Sequence, residues 1–186
     1  MRGIVVAYDL DGAIGDGQRM PWGPKDQKAD MKRFLATTVG SADVDPTDPE
    51  EQNAVIMGSR TFYSIPEQYR PLQRRRNIVL TRRALQDTVE IEGVTWVNSL
   101  PEAYAEAGSH DAWVIGGGEV YRQALPTVNR VLATRVLKAG SDASVTFPAL
   151  DMEEWDLFGE EHHEKDADNA HPYIFSTYIR KDPISE

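Results

Sequence analysis

Asp30 is the residue whose surroundings most invite chemistry. In the stretch Asp26–Thr38, Met31, Phe34 and Leu35 mark one apolar face of a helix, and Asp30 precedes Phe34 by one turn, so the two are neighbours. A carboxylate held beside an apolar stripe loses solvation and its pKa rises, as a proton donor working near neutral pH requires. From spacing alone the plainer reading is an aspartate at the edge of the stripe with its tip in water.

Two glycine-rich junctions suggest a second chemistry. Val55-Ile56-Met57 runs into Gly58-Ser59-Arg60-Thr61, and Trp113-Val114-Ile115 runs into Gly116-Gly117-Gly118-Glu119. Each reads as a strand entering a helix, where glycine lets backbone approach a ligand and the first N–H groups point outward. Paired at the carboxyl edge of a parallel sheet, such turns can hold the two phosphates of a dinucleotide. Either turn alone serves equally well for simple chain reversal. Neither carries the Lys-Ser/Thr pair of a Walker motif, and no strict G-x-G-x-x-G follows the first strand.

Charge adds a third clue. Residues 67–86 hold six arginines and one glutamate in a chain of net charge -10, and arginine's planar fork suits carboxylates and phosphates. By contrast residues 39–52 hold five acids, two prolines and no base, and residues 151–169 hold nine acids and one lysine. Both acidic stretches read as solvated surface, the first as a long loop. The segment Ile14–Trp22 mixes glycines with Met20, Pro21 and Trp22, a composition that suits either a lid over a pocket or a packed loop. His162 and His163 invite a metal hypothesis, but adjacent strand residues point to opposite faces and cannot easily share one ion. No metal is expected.

These residues need a frame to position them. Short β-branched or aromatic runs predict strands at Gly3–Asp9, Asn53–Met57, Arg76–Thr81, Val94–Val97, Ala112–Ile115, Arg130–Leu137, Trp155–His162 and Tyr173–Arg180. Helices are predicted at Asp26–Thr38, Arg60–Ser64, Leu100–Ala107 and Glu119–Leu125. Strands alternating with helices through residue 137, then strands alone, imply an α/β fold. Its expected centre is a mixed, mainly parallel eight-stranded sheet with helices on both faces, ending in an antiparallel hairpin.

With 186 residues the chain fits one domain at roughly 100–200 residues each, without internal repeats or a dividing linker. The absence of cysteine excludes disulfides, thiolate metal sites and cysteine nucleophiles. A pI near 4.9 argues against a general nucleic-acid binder, and the apolar runs are too short to span a bilayer. The N-terminus enters strand-like sequence without the apolar run of a signal peptide, so a cytoplasmic location is expected.

In order along the chain, these pieces resemble dihydrofolate reductase. They are Ile14-Gly15 with Met20-Pro21-Trp22; Ala29-Asp30-Met31 with Phe34; Val55-Ile56-Met57-Gly58 with Arg60-Thr61 and Ser64-Ile65; Arg70-Pro71-Leu72 with Arg75 and Asn77-Ile78-Val79-Leu80; Val114-Ile115-Gly116-Gly117-Gly118 with Val120-Tyr121; and His171-Pro172-Tyr173 with Phe175. The resemblance covers Ile4 to about Ile179, broken mainly by residues 39–52, so residues 1–186 are expected to form one dihydrofolate reductase-like domain carrying an acidic loop insert.

The resemblance implies an NADPH-dependent oxidoreductase of one-carbon metabolism, an antifolate target, acting as a cytoplasmic monomer. It would reduce 7,8-dihydrofolate to tetrahydrofolate by hydride transfer to C6 and protonation at N5. Asp30 would pair with the pterin, oriented by Thr134, with a water near Trp22 relaying the proton. Val5, Val6, Met31, Phe34, Ile65, Leu72 and Ile115 would wall the pocket, and Arg75 would grip the glutamate carboxylate. Ala7, Ile14 and Met20 would border the nicotinamide and ribose. Gly58, Ser59, Arg60 and Thr61 would meet the phosphates from one junction, and Gly116, Gly117, Gly118, Glu119, Val120 and Tyr121 from the other, with a cis Gly116–Gly117 bond. Leu80, Thr81 and Arg82 would border the adenosine, and Arg60 and Arg82 are the candidates for its 2′-phosphate. Ser59 and Glu119 stand where basic residues are common in the family. The alternatives are a related pyrimidine reductase of riboflavin synthesis and a non-catalytic nucleotide-binding module. Asp30 beside Phe34, Pro21-Trp22 and Arg75 favour folate.

Overall fold

β-Branched and aromatic runs become strands here wherever both of their faces find cover. The computed structural model describes residues 1–15, 20–22, 27–40, 48, 51–140 and 144–185. Residues 16–19 of the candidate lid, Asp26 at the head of the expected first helix, and most of the acidic insert lie outside the described residues. In chain order the elements are β1 (Arg2–Tyr8), β2 (Ala13–Gly15), α1 (Lys28–Val39), β3 (Ala54–Gly58), α2 (Ser59–Ser64), β4 (Arg76–Leu80) and β5 (Val94–Val97). They continue with α3 (Leu100–Ala107), β6 (Ala112–Gly116), α4 (Gly118–Ala124), β7 (Arg130–Val136), β8 (Val145–Thr146), β9 (Trp155–His163) and β10 (Tyr173–Arg180).

The main sheet has eight strands in the order β5-β4-β3-β6-β1-β7-β10-β9. The first six run parallel, β10 lies antiparallel to β7, and β9 closes the edge antiparallel to β10. This is the expected mixed α/β sheet with its antiparallel ending. The expected strands and helices are all present, most of them within a residue or two of their predicted ends. Two further strands, β2 and β8, pair into a separate antiparallel ribbon. At three and two residues they are too short for any periodicity to reveal.

Alternation along the strands divides the interior. Ile4, Val6, Ile56, Ile78, Val114, Val131 and Ala133 pack on one face against α3 and α4, through Leu100, Ala103, Tyr104, Val120 and Tyr121. On the opposite face Val55, Met57 and Val79 pack with Phe62 of α2 in a second, smaller cluster. That second face also carries α1, which docks against β7 and β10 farther along the sheet.

Local chemistry starts and stops the helices. Ser99 caps α3 by accepting the Glu102 N–H at 3.3 Å, and the Glu102 carboxylate accepts in return from the Ser99 hydroxyl and the Asn98 N–H. α1 has no such residue before it: Gln27 occupies the cap position, and its side chain caps no helical N–H. The cap comes instead from the loop between β9 and β10. Asn169 Oδ1 accepts the Ala29 N–H at 2.9 Å, and the Asp168 carbonyl accepts the Lys28 N–H. Buried Gln27 binds back to the same loop, donating to the His171 carbonyl at 3.0 Å. A contact across 140 residues therefore fixes where α1 begins.

Removing that cap strands a helix-terminal N–H in partly buried surroundings. Asn169→Ala is expected to lower stability by about 1–2 kcal/mol, read as a fall of several degrees in the thermal midpoint. An unchanged melt would mean water replaces the cap.

Candidate active site

α1 turns its polar residues inward. Asp30 is 5% exposed and Thr38 is fully buried, whereas Met31 and Leu35 of the apolar stripe are 38% and 51% exposed and Phe34 is half-buried. The expected stripe therefore does not face the core. Residues Asp30, Phe34 and Thr38, spaced by one turn, form the face turned inward. An aspartate tip in water, the plainer reading of spacing, does not describe Asp30.

Burial pushes the Asp30 carboxyl from an ordinary 3.8 up to about 6. A hydrogen bond from the Thr134 hydroxyl and the charge of Arg33 both pull it down, and burial outweighs them. Thr134 lies on β7 at the register shared by Ala7 on β1 and Phe175 on β10, so three strands fix the position of this hydroxyl. From α4, Tyr121 donates to the Val5 carbonyl at 2.9 Å; burial raises its phenol pKa and the charge of Asp30 adds to that. Trp22 is almost fully buried, and its indole N–H has no acceptor among the described residues. The neighbouring Pro21 carbonyl accepts from the Lys138 ammonium.

One helical turn beyond Phe34, Thr38 reaches the arginine block. Its hydroxyl oxygen accepts from Arg75 Nη1 at 2.9 Å while donating to the Phe34 carbonyl at 2.8 Å. Arg75 Nε donates to the Gln73 carbonyl, and the guanidinium lies 5.8 Å from the centre of the Phe34 ring. Arg75 is 8% exposed, makes no ion pair among the described residues, and burial lowers its pKa to about 10. A buried cation without a counter-ion is costly, and an incoming carboxylate would relieve that cost.

The glycine junctions meet across β3 and β6. A Cβ on Gly117 would stand 3.2 Å from Thr61 Oγ1, and one on Gly58 would stand 3.2 Å from Val120 Cγ2. The Gly116–Gly117 peptide is cis, as expected, and Gly116 has φ +118°, a conformation that side-chain-bearing residues rarely adopt. Ile14 and Val145 border Gly118. The two junctions are thus brought together at the carboxyl ends of neighbouring parallel strands, a cradle of backbone suited to phosphates. Arg60 and Arg82 are exposed beside it. Glu119 forms a 2.6 Å ion pair with Arg122 and accepts from Gln123, and the charge of Arg82 also bears on it.

The dihydrofolate reductase family profile matches residues 1–180. The dihydrofolate reductase of Haemophilus influenzae is 34% identical, over 96% of this chain and 98% of its own length. That of Heliothis virescens is 38% identical over 94% of each. Among solved structures, a dihydrofolate reductase from Enterococcus faecalis, complexed with NADP(H) and RAB-propyl, superposes with a TM-score of 0.80 at 25% identity, covering 98% of this chain and 97% of that one. The chain belongs to the dihydrofolate reductase family.

Within this family frame the structure sorts the expected residues. Asp30 and Thr134 share a hydrogen bond, and Val5 and Ala7 lie on their face of the sheet by strand alternation. Ile65, Leu72 and Ile115 are half-buried against the smaller cluster. Val6 requires a correction: its side chain packs into the opposite core with Ile4 and Val114, because consecutive strand residues alternate, so it cannot wall the same pocket as Val5. Met31 is more exposed than a pocket wall in contact with core would be. Leu80 packs on the larger core, and buried Thr81 accepts the Arg83 N–H. Met20 and Ser59 are half-buried. His162 and His163 fall on opposite faces of β9, the latter stacked on Tyr173 at 4.7 Å.

Thr38, Arg33 and Asn169 escaped the sequence reading. Thr38 had a legible signal, the 30-34-38 row of turn-spaced residues. The other two act through long-range contacts that no local pattern encodes.

The burial of Asp30 makes stability pH-dependent with a definite sign. Its folded pKa lies above the ordinary value, so the folded state keeps the proton longer, and this contribution to stability is lost as pH rises from about 4 through about 6. Asp30→Asn should match the wild type below about pH 4 and exceed it by about 3 kcal/mol at pH 8, measured by urea unfolding at both pH values. Equal stability at pH 8 would show a solvated carboxylate.

Proposed function

We propose that the chain reduces 7,8-dihydrofolate to tetrahydrofolate with NADPH, and that Asp30 is its proton-managing group. The observation that carries this reading is a buried carboxylate, hydrogen-bonded to Thr134 and poised near pH 6, within a family of NADPH-dependent reductases. NADPH, when bound, supplies the hydride that the pterin accepts at C6.

Everything else falls to side chains of this chain. Asp30 holds the pterin's amino group and ring N–H by a charge-assisted pair, and its charge favours the protonated N5 that accepts hydride readily. A carboxyl titrating near 6 exchanges its proton at working pH, whereas an ordinary aspartate would be almost wholly ionised. Thr134 aims that carboxylate. Trp22 excludes bulk water from one side, and its indole N–H, which finds no acceptor among the described residues, offers a place to hold a single relay water. Arg75, braced by Thr38, receives the substrate's glutamate carboxylate. The cradle of Gly58, Thr61, Gly117 and Gly118 fits the cofactor phosphates, with Arg60 and Arg82 for the 2′-phosphate. The same reading makes the protein a cytoplasmic monomer, in accord with its lack of cysteine and its acidic surface. Among the described residues no helix is long and apolar enough to cross a membrane.

Two measurements test the reading. NADPH oxidation should depend on added dihydrofolate, and Asp30→Asn should lower kcat/KM by about 10²–10⁴-fold. Full turnover by that variant would remove Asp30 from the mechanism. Arg82→Ala should weaken NADPH binding, followed by quenching of tryptophan fluorescence, while leaving NADH binding nearly unchanged. Equal losses for both cofactors would mean that Arg82 does not read the 2′-phosphate.

A further inference from the structure

Arg33 stands one turn after Asp30 on α1 and takes part in none of the ligand contacts above. Its guanidinium is nonetheless held on three sides. Nη1 donates to the Ala133 carbonyl at 2.7 Å, Nη2 donates to the Ser176 carbonyl at 3.3 Å, and the carbon of the fork lies 4.4 Å from the centre of the Phe175 ring. Ala133 and Ser176 face each other across β7 and β10, so one side chain grips both strands. Ala133 directly precedes Thr134, and Phe175 shares Thr134's register. Arg33 is therefore anchored to the same strand segment that aims the Asp30 carboxylate.

We propose that Arg33 is a positioning residue for the reduction: clamped to β7 and β10, it holds a fixed positive charge beside Asp30 and so sets the pH range over which that carboxyl can carry its proton. The proposal rests on the function assigned above to Asp30. Guanidinium groups stay charged throughout the working range, so this charge acts as a constant bias rather than a switch. The two backbone carbonyls and the aromatic face fix its location without neutralising it.

The charged and titratable groups around the pair have defined places. Tyr121 of α4 bears on Asp30 from the other core, neutral at working pH because burial raises its pKa. From β9, Glu161 acts on Arg33 together with Asp30, and both charges hold its guanidinium protonated against its own burial. His163 lies beyond Phe175, with its ring 5.1 Å from that ring and Nε2 3.7 Å from Glu161 Oε2. Arg33 is the cation that bears on Asp30, on the same helix and one turn away.

The test compares Arg33→Gln, Arg33→Met and Arg33→Lys. Glutamine keeps an N–H donor for a backbone carbonyl but no charge, methionine keeps packing alone, and lysine keeps the charge without the fork. Two readouts are taken: the alkaline midpoint of kcat/KM for dihydrofolate, and the ¹³C NMR titration of the Asp30 carboxyl in the free protein. In the glutamine and methionine variants both midpoints should move upward by about half a pH unit or more, as removal of a nearby opposite charge requires. In Arg33→Lys they should stay close to wild type, even though its thermal midpoint falls. Unmoved NMR midpoints in folded glutamine and methionine variants would overturn the proposal, as would an equal shift in the lysine variant. An NMR shift without any dihydrofolate-dependent turnover would instead remove the assigned function and leave the electrostatic coupling standing.

Discussion

The constraint on which the site depends is a carboxylate kept out of water. A group whose pKa stands about two units above its ordinary value in the fold costs about 3 kcal/mol of stability at neutral pH, a large share of what a domain of this size has to spare. The fold tolerates that cost because α1 cannot easily move away from the sheet. Arg33 ties it to β7 and β10, Thr38 ties it to Arg75, and the loop carrying Asn169 fixes its first turn. Each tether comes from a different part of the chain.

The same constraint explains why α1 looks inverted. A helix packed on a sheet ordinarily buries its apolar stripe and shows its polar face. Here Asp30 and Thr38 point inward, while Met31 and Leu35 remain exposed and Phe34 lies between. Inward polar groups make sense where each has a partner, as Asp30 has Thr134 and Thr38 has Arg75. Outward apolar groups make sense beside a cleft that a flat aromatic ligand fills, since they are then covered on binding and not by folding. The smaller cluster around Phe62 is bordered by half-buried Ile65, Leu72 and Ile115 on the side where Asp30 lies, with Ile91, Val94 and Trp96 packed against it as well.

How much of this could be read from residues alone follows from the range of the forces involved. Strands such as β3 and β6 were legible because β-branched runs bounded by glycine have few other uses, and the glycine junctions announced themselves for the same reason. The fate of the Asp30 carboxylate was not legible, because i,i+4 spacing tells which residues are neighbours and not which side of the helix the sheet will take. Val6 went to the wrong face because the resemblance supplied positions without the strand alternation that separates it from Val5. β2 and β8 carry too few residues for a period. The cap from Asn169 and the clamp from Arg33 join residues more than 90 positions apart, beyond any local pattern.

Strand order turns a scattered charge pattern into a directional one. The arginines of residues 67–86 flank β4, next to the edge strand β5, while the acids of residues 151–169 run along β9 at the opposite edge. Asp30, Thr134 and the glycine cradle lie between these poles, on or against β3, β6, β1 and β7. Dihydrofolate and NADPH are both anions, so the acidic edge repels them while the basic side draws them, with Arg75 at the amino end of β4 and Arg60 and Arg82 just past the carboxyl ends of β3 and β4. A uniform charge of -10 would slow both ligands equally from every direction. Segregation instead leaves the net charge available for solubility and keeps the attraction on one side of the sheet. Glu119, beside the cradle but already paired with Arg122, tempers that attraction where the charge of Arg82 reaches it. If Arg60 and Arg82 receive the cofactor's 2′-phosphate as proposed, the pull on it is a balance among these two cations and Glu119 rather than the work of a single cation.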